Sequence, residues 1–240
     1  MITTYTDKGW MVTTQRSHSL LAAQLCYHWK KADRPKRWLE TIVATAEHDD
    51  ATNELEATEL INENGGPINF NMTKFNKPFC DKLMGMALTK SKYIAVLTGR
   101  HLCFLYAKAD DESTRKYCND LKSIEKEWLK ELGIGSKIID KTYHLLEWCD
   151  AFSLLICQQL IQPESRKTEI SIGPDFGTYQ FYEHGDHRLV VEPWPFDEES
   201  FEVIYESKTL KQLSYKNTQE FKEIYLAAKT QFHKYTIAKS

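Results

Sequence analysis

Apolar positions along the chain recur every two residues at the start, at helical spacing through the middle, and every two residues again towards the end. Residues 2–6 and 10–14 are rich in β-branched and aromatic side chains, and Asp7-Lys8-Gly9 between them has turn chemistry, so a hairpin is predicted. From Ser17 the period lengthens. Leu20, Leu21, Leu25 and Trp29 mark a helix over about 17–30. Asp33 and Pro35 supply a cap and an early helical proline for a second helix over about 35–48, with Trp38, Ile42, Val43 and Ala46 facing inward. Residues 51–75 are polar and carry Gly65-Gly66-Pro67, which predicts a long loop. Helices over about 77–90 and 92–109 follow.

Residues 113–132 are charged on one side and carry Leu121, Ile124, Trp128 and Leu132 on the other, the pattern of an amphipathic surface helix ended by Gly133 and Gly135. Residues 136–160 read as a long, largely buried helix. After Pro163 the texture turns to strands: 179–182 and 188–191 flank the turn His184-Gly185-Asp186-His187, and 201–206 is a third. Asn217 and Glu220 form a capping-box pair that starts a last helix running to about His233. The predicted fold is mainly α, a single domain over 1–240. Its helical core lies at 17–160, a small antiparallel sheet is drawn from 1–14 and 168–210, and a C-terminal helix spans 217–233.

Composition narrows the class more than it changes this picture. The chain is 42% hydrophobic and 12% aromatic, enough to bury a core and to exclude wholesale disorder. A net charge of -3, with both signs mixed throughout, argues against a duplex nucleic acid as partner. No apolar run approaches the roughly 20 residues a bilayer crossing needs. Residues 1–7 lack the basic and then apolar layout of a secretion signal, so a cytoplasmic protein without a membrane partner is expected and a homodimer is left open. The six cysteines form no Cys-x-x-Cys pair. Cys26, Cys103, Cys149 and Cys157 sit in apolar helical segments and read as buried thiols rather than ligands or disulfide partners.

The most informative polar residue is Asp150, in Glu147-Trp148-Cys149-Asp150-Ala151-Phe152, where nearly every neighbour is apolar. A carboxylate there needs a cation, a strong hydrogen-bond donor or a raised pKa. A buried salt bridge would satisfy it as well as a metal would. His48-Asp49, at a predicted helix end, can turn two ligands to one ion, and mixed imidazole and carboxylate ligation suits manganese, iron, nickel or zinc. His18 stands at the start of the first helix, and His101 follows Gly99-Arg100 within an apolar run. Each alone is more commonly a capping or buried neutral histidine.

The order His18, His48-Asp49, Asp150 resembles the H…HD…D layout of the HD-domain superfamily of metal-dependent phosphohydrolases, over about 17–160. That resemblance implies a helical core holding one divalent ion (manganese, nickel, iron or zinc) with His18, His48, Asp49 and Asp150 as ligands. A closer likeness spans almost the whole chain. Residues 10–18, Ala46-Glu47-His48-Asp49-Asp50, Gly66-Pro67-Ile68-Asn69-Phe70 and Glu192-Pro193-Trp194-Pro195-Phe196 are similar to signature blocks of an uncharacterised bacterial domain-of-unknown-function family. This family also carries a histidine in a segment like Thr98-Gly99-Arg100-His101-Leu102, which implies His101 as a fifth pocket residue. It usually continues Glu-His-Asp-Asp with Gly-Trp, where this chain has Ala51-Thr52.

The function expected is hydrolysis of a phosphorylated small molecule or nucleotide, with Asp49, His101 and Arg100 as the catalytic set and Arg100 or Arg16 receiving the phosphate. Asp50 or Glu47 would orient His48. Two other readings stand beside it: a degenerate pocket that binds a ligand or metal without turnover, and a di-iron oxygenase of HD type. His144, six residues before Asp150, falls on another helix face and is a poor further ligand. His184 and His187 read as a solvated turn.

Overall fold

In the computed structural model of the chain, which describes residues 1–51, 53–185 and 187–240, β1 (Ile2–Thr6) and β2 (Gly9–Thr13) form the predicted hairpin. Thr52, half of the Ala51-Thr52 departure, and Asp186, in the turn at 184–187, lie outside the described residues. Gly9 is required where it stands. Its φ is +117°, and a Cβ there would lie 2.1 Å from the Leu210 carbonyl oxygen.

Thr14 caps α1 (Gln15–Tyr27) by accepting the Ser17 amide at 3.1 Å, so the helix begins two residues before Ser17. α2 is Trp38–Ala46, shorter than the predicted 35–48. Asp33 closes a 3₁₀ turn and Pro35 precedes the helix, because Arg34 is tied back to the end of α1 through the Trp29 and Tyr27 carbonyls, at 2.7 and 2.9 Å. α3 (Lys77–Lys90), α4 (Lys92–Leu105), α5 (Glu112–Leu132) and α6 (Ser136–Cys157) follow near their predicted places. Gly133 ends α5 in the left-handed conformation, with φ +64°.

The mainly α expectation is overturned by the second half of the chain. The molecule is 47% helical and 21% strand, with a seven-stranded mixed sheet curled into a half-barrel. β3 (Thr168–Ile172), β4 (Thr178–Glu183), β5 (Arg188–Glu192), β6 (Ser200–Leu210) and β7 (Thr230–Ala238) join the first hairpin in the order β1-β2-β6-β7-β5-β4-β3. The capping box at Asn217 does start α7, but that helix stops at Ala227. Residues 230–238, which overlap the end of the predicted helix over 217–233, form a strand instead.

Their Thr, Phe, Tyr and Ile content suits a strand, and β6 offers an unbroken antiparallel partner from Ser200↔Ala238 to Lys208↔Thr230. β7 then runs parallel to β5, which makes the sheet mixed rather than antiparallel. Inserting β7 at the centre is what joins two three-stranded groups, β1-β2-β6 and β5-β4-β3, into one sheet.

The long strand β6 alternates strictly, with Phe201, Val203, Tyr205 and Ser207 buried and their neighbours outward. α1 lies along the stretch of its edge that β2 leaves unpaired. Gln24 exchanges hydrogen bonds with the Ile204 backbone at 2.8 and 3.0 Å, and Ser17 does so with Glu206 at 3.0 and 3.2 Å, standing in for a neighbouring strand. Trp29, Trp148, Phe152 and Phe196 pack the inner sheet face on α1 and α6, and Trp194 packs against that layer. A second core fills the space among α3, α4, α5 and α6. α6 runs through both cores, and the candidate site sits where they meet.

Candidate metal centre

Four elements deliver the site. His18 is in the first turns of α1, His48 and Asp49 follow the last residue of α2, His101 is in the last turns of α4, and Asp150 is in the second half of α6. The end of α2 matters because residues 47–49 form a turn there, and side chains leaving a turn can converge where consecutive helical ones diverge by about 100°.

His18 and His48 are fully buried, His101 and Asp150 nearly so, and Asp49 alone keeps a solvent edge, 17% of its side chain. His18 Nε2 lies 3.2 Å from His48 Nε2 and 3.1 Å from Asp150 Oδ1. His48 Nε2 is 3.3 Å from that oxygen and 3.5 Å from Asp49 Oδ2. Asp49 Oδ2 is 3.8 Å from His18 Nε2. His101 Nε2 stands further out, 3.9 Å from one oxygen of each carboxylate. Two overlapping sets, His18-His48-Asp49 and His48-His101-Asp150, each have their ligand atoms within 4.8 Å of one another.

The surrounding hydrogen bonds decide which way the protons point. His48 Nδ1 lies 2.8 Å from the Thr45 carbonyl, which can only accept, so Nδ1 carries a proton and, once the ring is neutral, Nε2 turns a lone pair inward. Ser153 donates its hydroxyl to the Asp150 carbonyl at 2.9 Å, so at 2.6 Å it accepts from His18 Nδ1, and His18 Nε2 also presents a lone pair. Asp49 Oδ2 is held by Gln15 Nε2 at 2.8 Å, and Tyr143 Oη reaches His101 Nδ1 at 3.4 Å.

Two imidazole lone pairs and a carboxylate oxygen therefore face one another at 3.1–3.3 Å in a dry interior. Asp150 Oδ1 has these nitrogens within ion-pair range, yet none is aligned to hydrogen-bond it. Such an arrangement is repulsive until a cation or a proton sits at its centre. For bonds of about 2.1 Å, neighbouring ligands lie about 3.0 Å apart around an octahedral ion and about 3.4 Å around a tetrahedral one. The separations among His18, His48 and Asp150, and that of His48 from Asp49, match; the 3.8 Å from Asp49 to His18 and the His101 separations are wider.

The charges respond to the same geometry. Burial works against a charged His48, but the Asp49 and Asp150 carboxylates and the Thr45 carbonyl outweigh it and raise its pKa to about 9. Burial alone would push Asp150 up; His48 and His18 overcome it and hold the carboxyl well below the usual range. Burial, and then the charge of His48, lower His101.

The structure thus gathers His18, His48, Asp49, His101 and Asp150, and it leaves Arg100 out. That guanidinium is paired with Glu125, at 2.6 Å, and with Asp140, at 2.5 Å, three helical turns from Asp150 on α6. Arg16 pairs with Asp50 at 2.9 Å and Glu47 with Lys90 at 3.1 Å, so neither acid orients His48; Thr45 does. His144 packs edge-on against Phe176. His184 and His187 belong to the β4–β5 turn.

Gln15, Thr45, Tyr143 and Ser153 are the site residues that sequence reasoning missed. Ser153 carried a usable signal, since it is a lone hydroxyl in the apolar run where Asp150 stands out, one turn further on. The other three become visible only in space.

The model of a protein family of unknown function, DUF3891, matches residues 1–212. The chain belongs to that family. Searches of curated proteins and of solved structures return no match. The match brings the β1–β2 hairpin, all four elements that carry the His-Asp cluster and the whole of β6 of this DUF3891 chain under one family pattern. It does not link the family to the HD-domain superfamily. Among the described residues no helix is long and apolar enough to cross a membrane.

Proposed function

We propose that this protein holds one divalent transition-metal ion through His18, His48, Asp49 and Asp150, and uses it to hydrolyse a phosphorylated small molecule or nucleotide. The observation that carries the reading is the pair of inward Nε2 lone pairs, 3.2 Å apart, against the unpartnered Oδ1 of Asp150. The donor set of neutral imidazoles and carboxylates fits manganese, iron, nickel or zinc. A divalent ion supplies Lewis-acid polarisation of a phosphoryl oxygen and makes hydroxide available near neutral pH.

The residues of the chain do the positioning. Ser153 and Thr45 fix the tautomers of His18 and His48, and Gln15 fixes Asp49. Asp49 is the carboxylate at the solvent edge, with Oδ1 free of Gln15 to accept a proton from an entering water. His101, buried and neutral, stands behind it with Nε2 turned to both carboxylates and can hold a proton there. The phosphoester substrate class comes from the likeness of the ligand order to the HD-domain phosphohydrolases.

One observation favours a second reading, a metal site without turnover. The arginine expected to receive a phosphate is already spent on two carboxylates. Metal analysis of protein purified without a histidine tag, followed by a phosphatase panel on the parent and Asp150→Ala, separates the cases. One equivalent of metal with activity lost in the variant supports hydrolysis. Metal without activity supports the second reading, and two equivalents of iron support an oxygenase. Equal rates in parent and variant overturn the hydrolase.

A further inference from the structure

Two exposed phenylalanines stand over consecutive residues of α6. Phe104, 52% exposed at the end of α4, lies 6.2 Å from Tyr143 and stacks at 6.4 Å on His101, centroid to centroid. Phe176, 57% exposed in the β3–β4 turn, meets His144 edge-on at 5.2 Å. We propose that the strip of α6 between these two rings holds the uncharged aromatic body of an aryl phosphate whose phosphate group sits at the metal. This rests on the hydrolase reading above and names its substrate class.

An isolated phenylalanine in solvent needs no explanation, but this pair frames a path to the metal centre. At about 100° per residue, Glu147 falls about 40° round the helix from Tyr143 and about 60° from His144, between the two rings. Asp150 is just under a turn further on, about 20° from the line of Tyr143 and about 4.5 Å along the axis from Glu147. A ring over Glu147 is therefore within reach of the cluster for a phosphate attached directly to it. His101, packed under Phe104, has its Nε2 3.9 Å from one oxygen each of Asp49 and Asp150, so the Phe104 side of the strip joins the cluster.

Backbone and charge agree with that placement. Phe176 has φ +64°, in the left-handed region that glycine and asparagine take freely and a bulky side chain enters only at a cost in strain. The turn nonetheless carries an aromatic ring there, turned to solvent beside α6. Glu147 is half-buried, and Ser171 is its one hydrogen-bond partner among the described residues, at 2.6 Å. A second anionic group on the ring would meet that carboxyl, so the body is uncharged and the phosphate lies at the metal end.

Phenylphosphonate and methylphosphonate, which have no ester bond to hydrolyse, are the probes, titrated calorimetrically into the zinc-loaded, tag-free full chain at pH 8. Phenylphosphonate is expected to bind about tenfold tighter or more. Phe104→Ala and Phe176→Gly should each weaken it about threefold or more. Methylphosphonate affinity, zinc affinity and melting temperature should not change, because both rings stand largely in solvent. Equal affinity for the two probes overturns the proposal, as does a parent-like phenyl preference in either variant. Zinc bound with neither phosphonate held overturns it too. Failure to bind zinc overturns the metal reading itself, and this inference with it.

Discussion

Metal binding at the cluster should release a proton, and the amount can be worked out from His48. In the metal-free protein its pKa is raised to about 9, so at pH 7 the ring is charged and carries a second proton on Nε2, 3.3 Å from Asp150 Oδ1. An ion that takes that lone pair must displace the proton. Two pH units below a pKa of about 9, the displacement offsets about 3 kcal/mol of metal-binding free energy, at about 1.4 kcal/mol per unit. Apparent affinity for zinc or manganese is expected to rise about tenfold per pH unit from 7 towards 9 and then level off.

Calorimetry in HEPES and in Tris, whose ionisation enthalpies differ, should report close to one proton released per ion at pH 7.5. Asp150→Asn removes a ligand and also one of the two carboxylates that raise His48, so it should lose most of the affinity and release less than a full proton. The sign for stability runs the other way. A histidine raised on folding stabilises below its unfolded value of 6.5, and that contribution is lost as pH climbs through 9. Metal-free protein should therefore weaken over the window in which metal affinity grows. Affinity independent of pH between 7 and 9, with no proton released, would refute the tautomer argument and the site built on it.

Ser153→Ala removes the group that fixes His18 Nδ1 and should cost 10- to 100-fold in metal affinity with little change in fold, which a competition titration with a chelating dye would measure. Burial raises Glu147 from 4.5 to about 7, so its contribution is full at low pH and is lost as pH rises through 7. Metal-free Glu147→Gln should be more stable than the parent at pH 8 by up to about 3 kcal/mol and near parity at pH 4.5 in urea melts; an identical difference at both values would exclude the assignment. Arg100→Met should lower stability by about 1–3 kcal/mol, because it strands Glu125 and Asp140, while leaving metal affinity unchanged. A fall in metal affinity there would return Arg100 to the site.

The members of the cluster were legible in the chain because burial leaves a chemical mark on sequence. Asp150 stands alone in an apolar helix, and such a carboxylate needs a partner wherever that helix goes. The helices at 77–90, 113–132 and 136–160 were legible because a 3.6-residue period is a local property, as is the β1–β2 turn. Long-range pairing was not local. Residues 230–238 carry strand composition, but they directly follow a correctly capped helix, and only the edge of β6 stops that helix at Ala227.

The same limit governs the site. Nothing around Arg100 in sequence announces Glu125 or Asp140, which arrive from two other helices and take the guanidinium away. Gln15 and Thr45 look like ordinary polar residues until the fold sets them against Asp49 and His48. By itself the sequence determined which residue types would be buried and charged, since desolvation cost is written position by position. Only the tertiary structure decided which of them meet, because the convergence of side chains from four elements depends on how the curled sheet and α6 pack together.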